Sequence, residues 1–175
     1  RTLVVVNTVE RARAVYAALG QAFEKDGPPV VLVHSRFRPR DRAERMRQVT
    51  ELDPDAGTVV VATQVVEAGL DISSRTLITE PAPFSSIVQR LGRCNRYGEH
   101  EEEATVCWLD PGETAQRGRK GWTPAPYEAE DVARTREKLL ELEGESLSPV
   151  ALESIRVEES PDDPTVLRRQ DLLDL

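Results

Sequence analysis

Five short runs of β-branched and other apolar residues stand out: Leu3-Val4-Val5-Val6, Val30-Val31-Leu32-Val33, Thr58-Val59-Val60-Val61, Thr76-Leu77-Ile78-Thr79 and Ala104-Thr105-Val106-Cys107-Trp108-Leu109. Each is continuous rather than alternating, which is how a strand reads when both its faces are covered, so the runs predict a largely parallel sheet. Between them the apolar spacing turns helical. Ala12, Val15, Leu19 and Phe23 recur after Thr8, a candidate N-cap, and Gly27-Pro28-Pro29 ends that run. Ala43, Met46, Val49 and Leu52 follow Pro39 and stop at Asp53-Pro54, and a third helix is expected from about Ser85 to Tyr97 with Gly98 as its stop. The order β-α-β-α-β-link-β-α-β with right-handed crossovers makes a doubly wound, largely parallel α/β sheet with helices on both faces.

The character changes near Asp110. Residues 1–110 read as one α/β domain and 111–126, with Pro111-Gly112, as a loop. Residues 127–175 read as an acidic, mainly helical extension. Within the extension, Tyr127 to Leu142 is amphipathic, a short helix runs from Ser148-Pro149 to Ile155, and the apolar end Leu172-Leu173-Asp174-Leu175 carries no stop signal. The extension is therefore expected to pack on something, and the start on Arg1-Thr2 without Met suggests a segment of a longer chain.

A chain of 175 residues with 39% hydrophobic content has room for a real core. No apolar run approaches the roughly 20 residues that span a membrane, so no membrane partner is expected. Two cysteines, Cys94 and Cys107, lack metal-ligand spacing and read as core thiols in a reduced, cytoplasmic setting. The net charge of −8 argues against nucleic acid until its distribution is read. Arg36, Arg38, Arg40, Arg42, Arg45 and Arg47 face only Asp41 and Glu44 in that stretch, whereas acid gathers at 99–103, 128–145 and 153–163.

Open parallel sheets bind ligands beyond the carboxyl ends of their strands. Three of those ends carry Asn7-Thr8, His34-Ser35-Arg36 and Thr63-Gln64. Hydroxyls, amides and an arginine along one edge are groups that hold a phosphate backbone; helix capping by Thr8 and Ser35 and a satisfied polar role for His34 stay open beside that. Further along, Gln89-Arg90-Leu91-Gly92-Arg93-Cys94-Asn95-Arg96 places Gln89, Arg93 and Arg96 within about 60° on a helix of roughly 100° per residue. Two guanidinium groups aimed together suit a transferring phosphoryl group. A solvated basic face paired with Glu99 and Glu101 to Glu103 is the plainer alternative.

These segments resemble ordered motifs of the second, C-terminal RecA-like domain of superfamily 2 helicases, a likeness that implies a RecA-like form of the doubly wound sheet. Gln89 to Arg96 matches the QRxGRxxR form of motif six, Val61 to Ile72 resembles motif five, and Val5-Val6-Asn7-Thr8 and His34-Ser35-Arg36-Phe37 resemble motifs four and four-a. The chain is similar above all to the helicase half of the CRISPR-associated helicase-nuclease of type I systems. That likeness rests on Val5 to Val9, His34 to Phe37, Ala62 to Asp71 and the tail Val166 to Leu175. DEAD-box RNA helicases, which typically begin motif six with His, fit less well.

The resemblance implies roles. Arg93 and Arg96 would be arginine fingers, Gln89 would line the nucleotide site, Asp71 would contact the ribose of ATP, and Gly69 would admit the backbone. Asn7, Thr8, His34, Ser35, Arg36 and Thr63 would hold single-stranded DNA. For Arg90 a structural salt bridge and a catalytic role are both open, as are a turn-stabilising and a ligand role for Glu67. Trp108 and Trp122 are candidates for stacking on bases, with Trp108 in the core as the alternative.

No G-x-x-x-x-G-K-S/T phosphate loop and no Asp-Glu-Ala-Asp or Asp-Glu-x-His run occurs. ATP and Mg2+ would therefore be bound jointly with an N-terminal RecA-like domain of the same protein, and no metal would be held by this chain alone. The family's other partners would be a nuclease domain or subunit and a CRISPR surveillance complex. A duplex translocase, an RNA helicase motor and a non-catalytic nucleic-acid-binding module are the other function classes. The missing motifs generate a prediction: the isolated chain hydrolyses ATP at background rate. Strand-stimulated phosphate release by a contaminant-free sample would overturn it.

Overall fold

The computed structural model describes residues 1–23, 27–52, 57–68, 71–100, 103–110 and 123–159. Gly69, Trp122, the Asp53-Pro54 stop, the Pro111-Gly112 loop, Glu101, Glu102 and the 166–175 tail lie outside the described residues.

The five expected strands form at β1 (Thr2–Val5), β2 (Val30–Val33), β3 (Val59–Ala62), β4 (Thr76–Thr79) and β5 (Thr105–Trp108). They make one sheet in the order β2-β3-β1-β4-β5, and every pairing is parallel. Helices α1 (Val9–Ala22), α2 (Pro39–Glu51), the single turn α3 (Val65–Ala68) and α4 (Phe84–Leu91) connect them, followed by α5 (Ala129–Glu141) and α6 (Pro149–Glu153).

Because side chains alternate along a strand, each valine run feeds two cores. Leu3, Val5, Val31, Val33, Val60 and Leu77 pack on one face with Val49 of α2, Val66 of α3, Ile87 and Leu91 of α4 and Leu139 of α5. Val4, Val6, Leu32, Val59 and Val61 pack on the other face under Ala12, Val15, Tyr16 and Leu19 of α1. Among the described residues one helix thus covers the second face, and its cover does not extend over β5.

That asymmetry corrects two expectations. Burial along β5 alternates, with Thr105 and Cys107 exposed, and Val106 and Trp108 packed against the first core. Cys107 pairs in register with Ile78, a contributor to the second core, so it points to the uncovered face and is no core thiol. Cys94 is half-buried against the first core.

The third helix is also shorter than its periodicity suggests. It ends at Leu91, with Gly92 at the C-cap, and does not reach Tyr97. Beyond it the backbone tightens through Arg93 N–H to Arg90 O and Cys94 N–H to Leu91 O, each 2.9 Å, and Asn95 takes the left-handed φ of 49°. The chain then runs beside Ser74: Ser74 N–H donates to Arg93 O at 2.9 Å and Asn95 N–H donates to Ser74 O at 2.8 Å. Cross-chain backbone bonds replace helical ones, so Gln89, Arg93 and Arg96 do not share a helix face. Gly98, at φ 73°, serves the following turn and is not the helix stop.

Candidate nucleotide and strand interface

The strand order sets the ends of β2, β3 and β1 side by side, so His34-Ser35-Arg36, Thr63-Gln64 and Asn7-Thr8 neighbour one another at the carboxyl edge. Their side chains differ in what they have left to offer. Asn7 is 2% exposed and fully engaged. Its Nδ2 donates to Pro81 O at 2.7 Å, its Oδ1 accepts from Arg90 Nη2 at 3.1 Å, and its backbone N–H donates to Glu80 Oε2 at 2.7 Å. Thr63 is buried, and its N–H donates to Val33 O at 3.3 Å. Thr8 caps α1 by accepting from Arg11 N–H at 3.2 Å.

His34 is buried and lies flat on Phe37, with ring centroids 4.0 Å apart, and Arg45 sits 5.6 Å from the Phe37 centroid. Burial pushes its pKa below the ordinary histidine value, which favours the neutral ring. Ser35 and Arg36 are exposed, and Arg36 Nη1 pairs with Glu10 Oε1 at 2.6 Å. Farther along α2, Arg47 is bracketed by Glu44 and Glu51 at 2.8 Å each, which neutralises part of the arginine cluster.

A second group forms where the residues after α4 run along 71–75. Arg96 Nε lies 3.4 Å from Asp71 Oδ1, the Tyr97 hydroxyl donates to the same oxygen at 2.7 Å, and Arg96 N–H donates to Ser73 Oγ at 2.9 Å. Arg93 reaches back to α3, where Nε donates to Val66 O and Nη2 to Glu67 O, both at 2.9 Å. Two carbonyls thus orient its fork and leave the Nη1 edge unengaged among the described residues. Gln89 is exposed. Of the acids that follow, Glu99 accepts from Tyr97 N–H and Glu103 pairs with Arg75, so among the described residues neither neutralises Arg93 or Arg96.

Between the two groups lies Arg90, 0% exposed. Nε donates to Glu67 Oε1 at 2.8 Å; Nη1 donates to Thr79 Oγ1 and Glu80 O at 3.0 Å each; Nη2 donates to Asn7 Oδ1 and the Tyr127 hydroxyl at 3.1 Å each. All five guanidinium N–H bonds have acceptors, the condition under which a buried charge is tolerated. Glu67 completes its own role by accepting from Ser86 Oγ at 3.2 Å. Of the alternatives open for Arg90 and Glu67, the geometry selects the structural one.

Glu80 and Tyr127 were not anticipated. Glu80 stands at the end of β4 as Asn7 stands at the end of β1, so reading every strand end would have found it. Tyr127 begins an acidic stretch, and nothing local marks its hydroxyl as buried.

Removing the Arg90 cation would leave the Glu67 carboxylate and the Asn7 carbonyl without their donor. Breaking a buried pair from one side costs about 3–5 kcal/mol. Arg90→Ala is expected to lower the unfolding free energy by about that amount in denaturant titration, and Glu67→Gln in the same background should recover part of it. A loss below about 1 kcal/mol would show that the network contributes little.

Comparison with known proteins bears on both groups. Residues 1–99 match the family described as CRISPR-associated nuclease/helicase Cas3, C-terminal. The CRISPR-associated helicase Cas3 of Thermoproteus tenax is 39% identical over 105 residues, covering 58% of this chain and 17% of that protein. The putative Cas3 of Myxococcus xanthus is 39% identical over 108 residues, covering 61% of this chain and 14% of its relative. The chain thus spans a small fraction of these relatives. Among solved structures, T. fusca Cas3 with ATP superimposes with a TM-score of 0.72 at 28% identity, over 87% of this chain and 19% of that one. The C-terminal domain of the DEAD-box protein Dbp5, at 12% identity and a TM-score of 0.52 over 79% of this chain and 69% of its own, shares the fold alone. With more than half its length matched by the family model and the same α/β domain in T. fusca Cas3, this chain belongs to the Cas3 C-terminal family of CRISPR-associated nuclease/helicases.

Proposed function

We propose that the chain is the second RecA-like motor domain of an ATP-dependent helicase of CRISPR interference, with single-stranded DNA as its track. The observation that carries this reading is the lacing of the two segments that resemble motifs five and six. Arg96 meets Asp71, and Arg93 grips the carbonyls of α3. Cations and a carboxylate lie side by side there, a set that suits the phosphates and the ribose hydroxyls of a nucleotide. The crystal structures of T. fusca Cas3 with ADP and with ATP support it, as both are similar to this chain.

In this reading residues 1–110 form the motor half, 111–126 a linker and 127–175 an extension leading toward further parts of the protein. ATP sits between this domain and an N-terminal RecA-like domain. Gln89 and Asp71 bind and orient the nucleotide from this side, with Gly69 allowing close backbone approach. The carbonyl-held fork of Arg93, together with Arg96 once it leaves Asp71, meets the negative charge that grows on the phosphoryl oxygens. Mg2+, when bound, would neutralise phosphate charge, with the other domain as its proposed holder; among the described residues this side offers cations and amides rather than a cluster of hard oxygen ligands.

On the strand side Thr8, Ser35 and Arg36 face the phosphates, while the buried Asn7, His34 and Thr63 hold those groups in register. The Arg36–Glu10 pair is exposed and therefore weak, so a phosphate can replace Glu10 at little cost. Alternating closure and reopening of the two domains then moves the strand. A nuclease domain or subunit and a CRISPR surveillance complex are the proposed partners inside the cell. A surveillance complex captured before nicking contains a chain 29% identical to this one, with a TM-score of 0.66 over 84% of this chain and 20% of its own.

Two tests follow. In the complete enzyme, Arg93→Ala should reduce kcat for strand-stimulated ATP hydrolysis by about 10³-fold or more, while KM for ATP changes much less. Arg93→Lys should also fail, because an ammonium cannot hold two carbonyls and a phosphate with one planar fork. Normal turnover in either variant would sink the finger assignment. Arg36→Glu should weaken nucleotide-free binding of single-stranded DNA and flatten its dependence on salt by about one phosphate contact. Unchanged affinity at low salt would remove Arg36 from the strand path.

A further inference from the structure

The extension is held against α4, the helix that leads into the turn carrying the proposed arginine fingers. Arg11 donates to Thr123 O at 3.1 Å and Ala125 O at 3.3 Å, which straps the residues leading into the extension to α1. Tyr127 then packs on the first core and presents its hydroxyl to Arg90 Nη2 at 3.1 Å. Ser86 of α4 and Gln64 at the end of β3 lie against the same hydroxyl and partly offset the effect of burial on it. Gln64 in turn donates from Nε2 to Asn7 O at 2.8 Å. One phenol therefore touches the motif-six helix and the motif-five strand end, and through Gln64 and Arg90 it reaches both the backbone and the side chain of Asn7. Farther on, Val132, Thr135 and Leu139 bury the inner face of α5, with Leu139 in the core shared with α4. The extension also meets the beginning of α4. Pro83, at the N-cap, supplies no side-chain cap, and the Glu159 carboxylate takes that place by accepting from Ser85 N–H at 2.6 Å and Ser85 Oγ at 2.8 Å.

We propose that Tyr127 is a positioning residue of the motor: by fixing Arg90 it sets the geometry of Arg93, Arg96 and Asp71 without touching nucleotide. The proposal rests on the helicase reading above. Its physical basis is the short path between the phenol and the proposed site. Arg90 O accepts from Arg93 N–H at 2.9 Å, and the helix ends at that turn. Arg90 also holds the side chain of Glu67, whose backbone carbonyl is one of the two that orient the Arg93 fork. A shift of Arg90 thus disturbs both the backbone that carries Arg93 and the residue whose carbonyl aims it. Burial pushes the Tyr127 pKa upward, so the phenol stays neutral and keeps its proton for a partner. A phenylalanine ring fills the same space and leaves an Arg90 N–H without its acceptor, an imbalance a buried guanidinium relieves by moving.

The test is Tyr127→Phe in the full-length enzyme, read as strand-stimulated ATPase together with thermal unfolding. The expected kcat falls about tenfold, short of the roughly hundredfold loss that a misplacement of about 1 Å can cause. KM for ATP stays within about twofold, because the loss lies in the transition state rather than in binding. The protein remains folded at the assay temperature. Glu159→Gln, which weakens only the cap on α4, should lower kcat less. Wild-type kcat in Tyr127→Phe overturns the proposal, as does a loss that the unfolded fraction fully accounts for. Arg93→Ala in the same assay separates the two levels: turnover retained there defeats the finger reading itself. Turnover lost in Arg93→Ala but retained in Tyr127→Phe defeats this proposal alone.

Discussion

A guanidinium sealed inside a protein has to satisfy five N–H bonds in one plane, and Arg90 draws its five acceptors from four separate places. Glu67 comes from α3, Thr79 and Glu80 from the end of β4, Asn7 from the end of β1 and Tyr127 from the extension. Apolar packing is tolerant of small slides, but a fully engaged fork is not, because losing one acceptor exposes the whole desolvation cost of that donor. The strand ends, the motif-five turn and α4 are thereby tied to one another through a single side chain. Arg11 extends the same layer, with Nε 2.9 Å from Glu80 Oε1 and its terminal nitrogens on Thr123 O and Ala125 O.

This layer changes what the carboxyl edge of the sheet is for. In an open parallel sheet that edge is where ligands enter. Here the deepest positions are filled by the protein's own polar groups, with Asn7, His34, Thr63 and Glu80 all buried. Ligand contact is left to the shell outside them: Thr8, Ser35 and Arg36 toward the proposed strand, and Gln89, Asp71, Arg93 and Arg96 toward the proposed nucleotide. The two sets share one rigid foundation, a physical basis for coupling grip on the strand to the state of the nucleotide.

Charge follows the same division. The overall balance of −8 is carried largely by the acidic second half of the chain, while the arginines of 36–47 sit beside the proposed strand path. Two of those arginines, Arg36 and Arg47, already have carboxylate partners, so the field there is weaker than the sequence count implies. Exposed pairs of this kind exchange readily. They temper non-specific attraction while leaving the cations available to a phosphate backbone.

The sequence by itself determined the parallel α/β sheet, four of its five strands as two-faced core elements, the helix starts and the order of the motifs, and the helicase-type family. Those properties are written in local spacing, and two-faced valine runs have few other ways to escape water. Tertiary structure decided the rest. It cut α4 short at Leu91 because backbone pairing with Ser74 replaced the helical bonds, so a helical-wheel argument could not aim Arg93 and Arg96. It left Cys107 on a face that α1 does not reach. It turned Arg90 and Asn7 inward through partners as far as 83 residues away in the chain, and it set Tyr127 against them. A hydrogen bond between distant residues leaves no periodic trace in a sequence, because its energy depends on where the folded chain brings the two groups together.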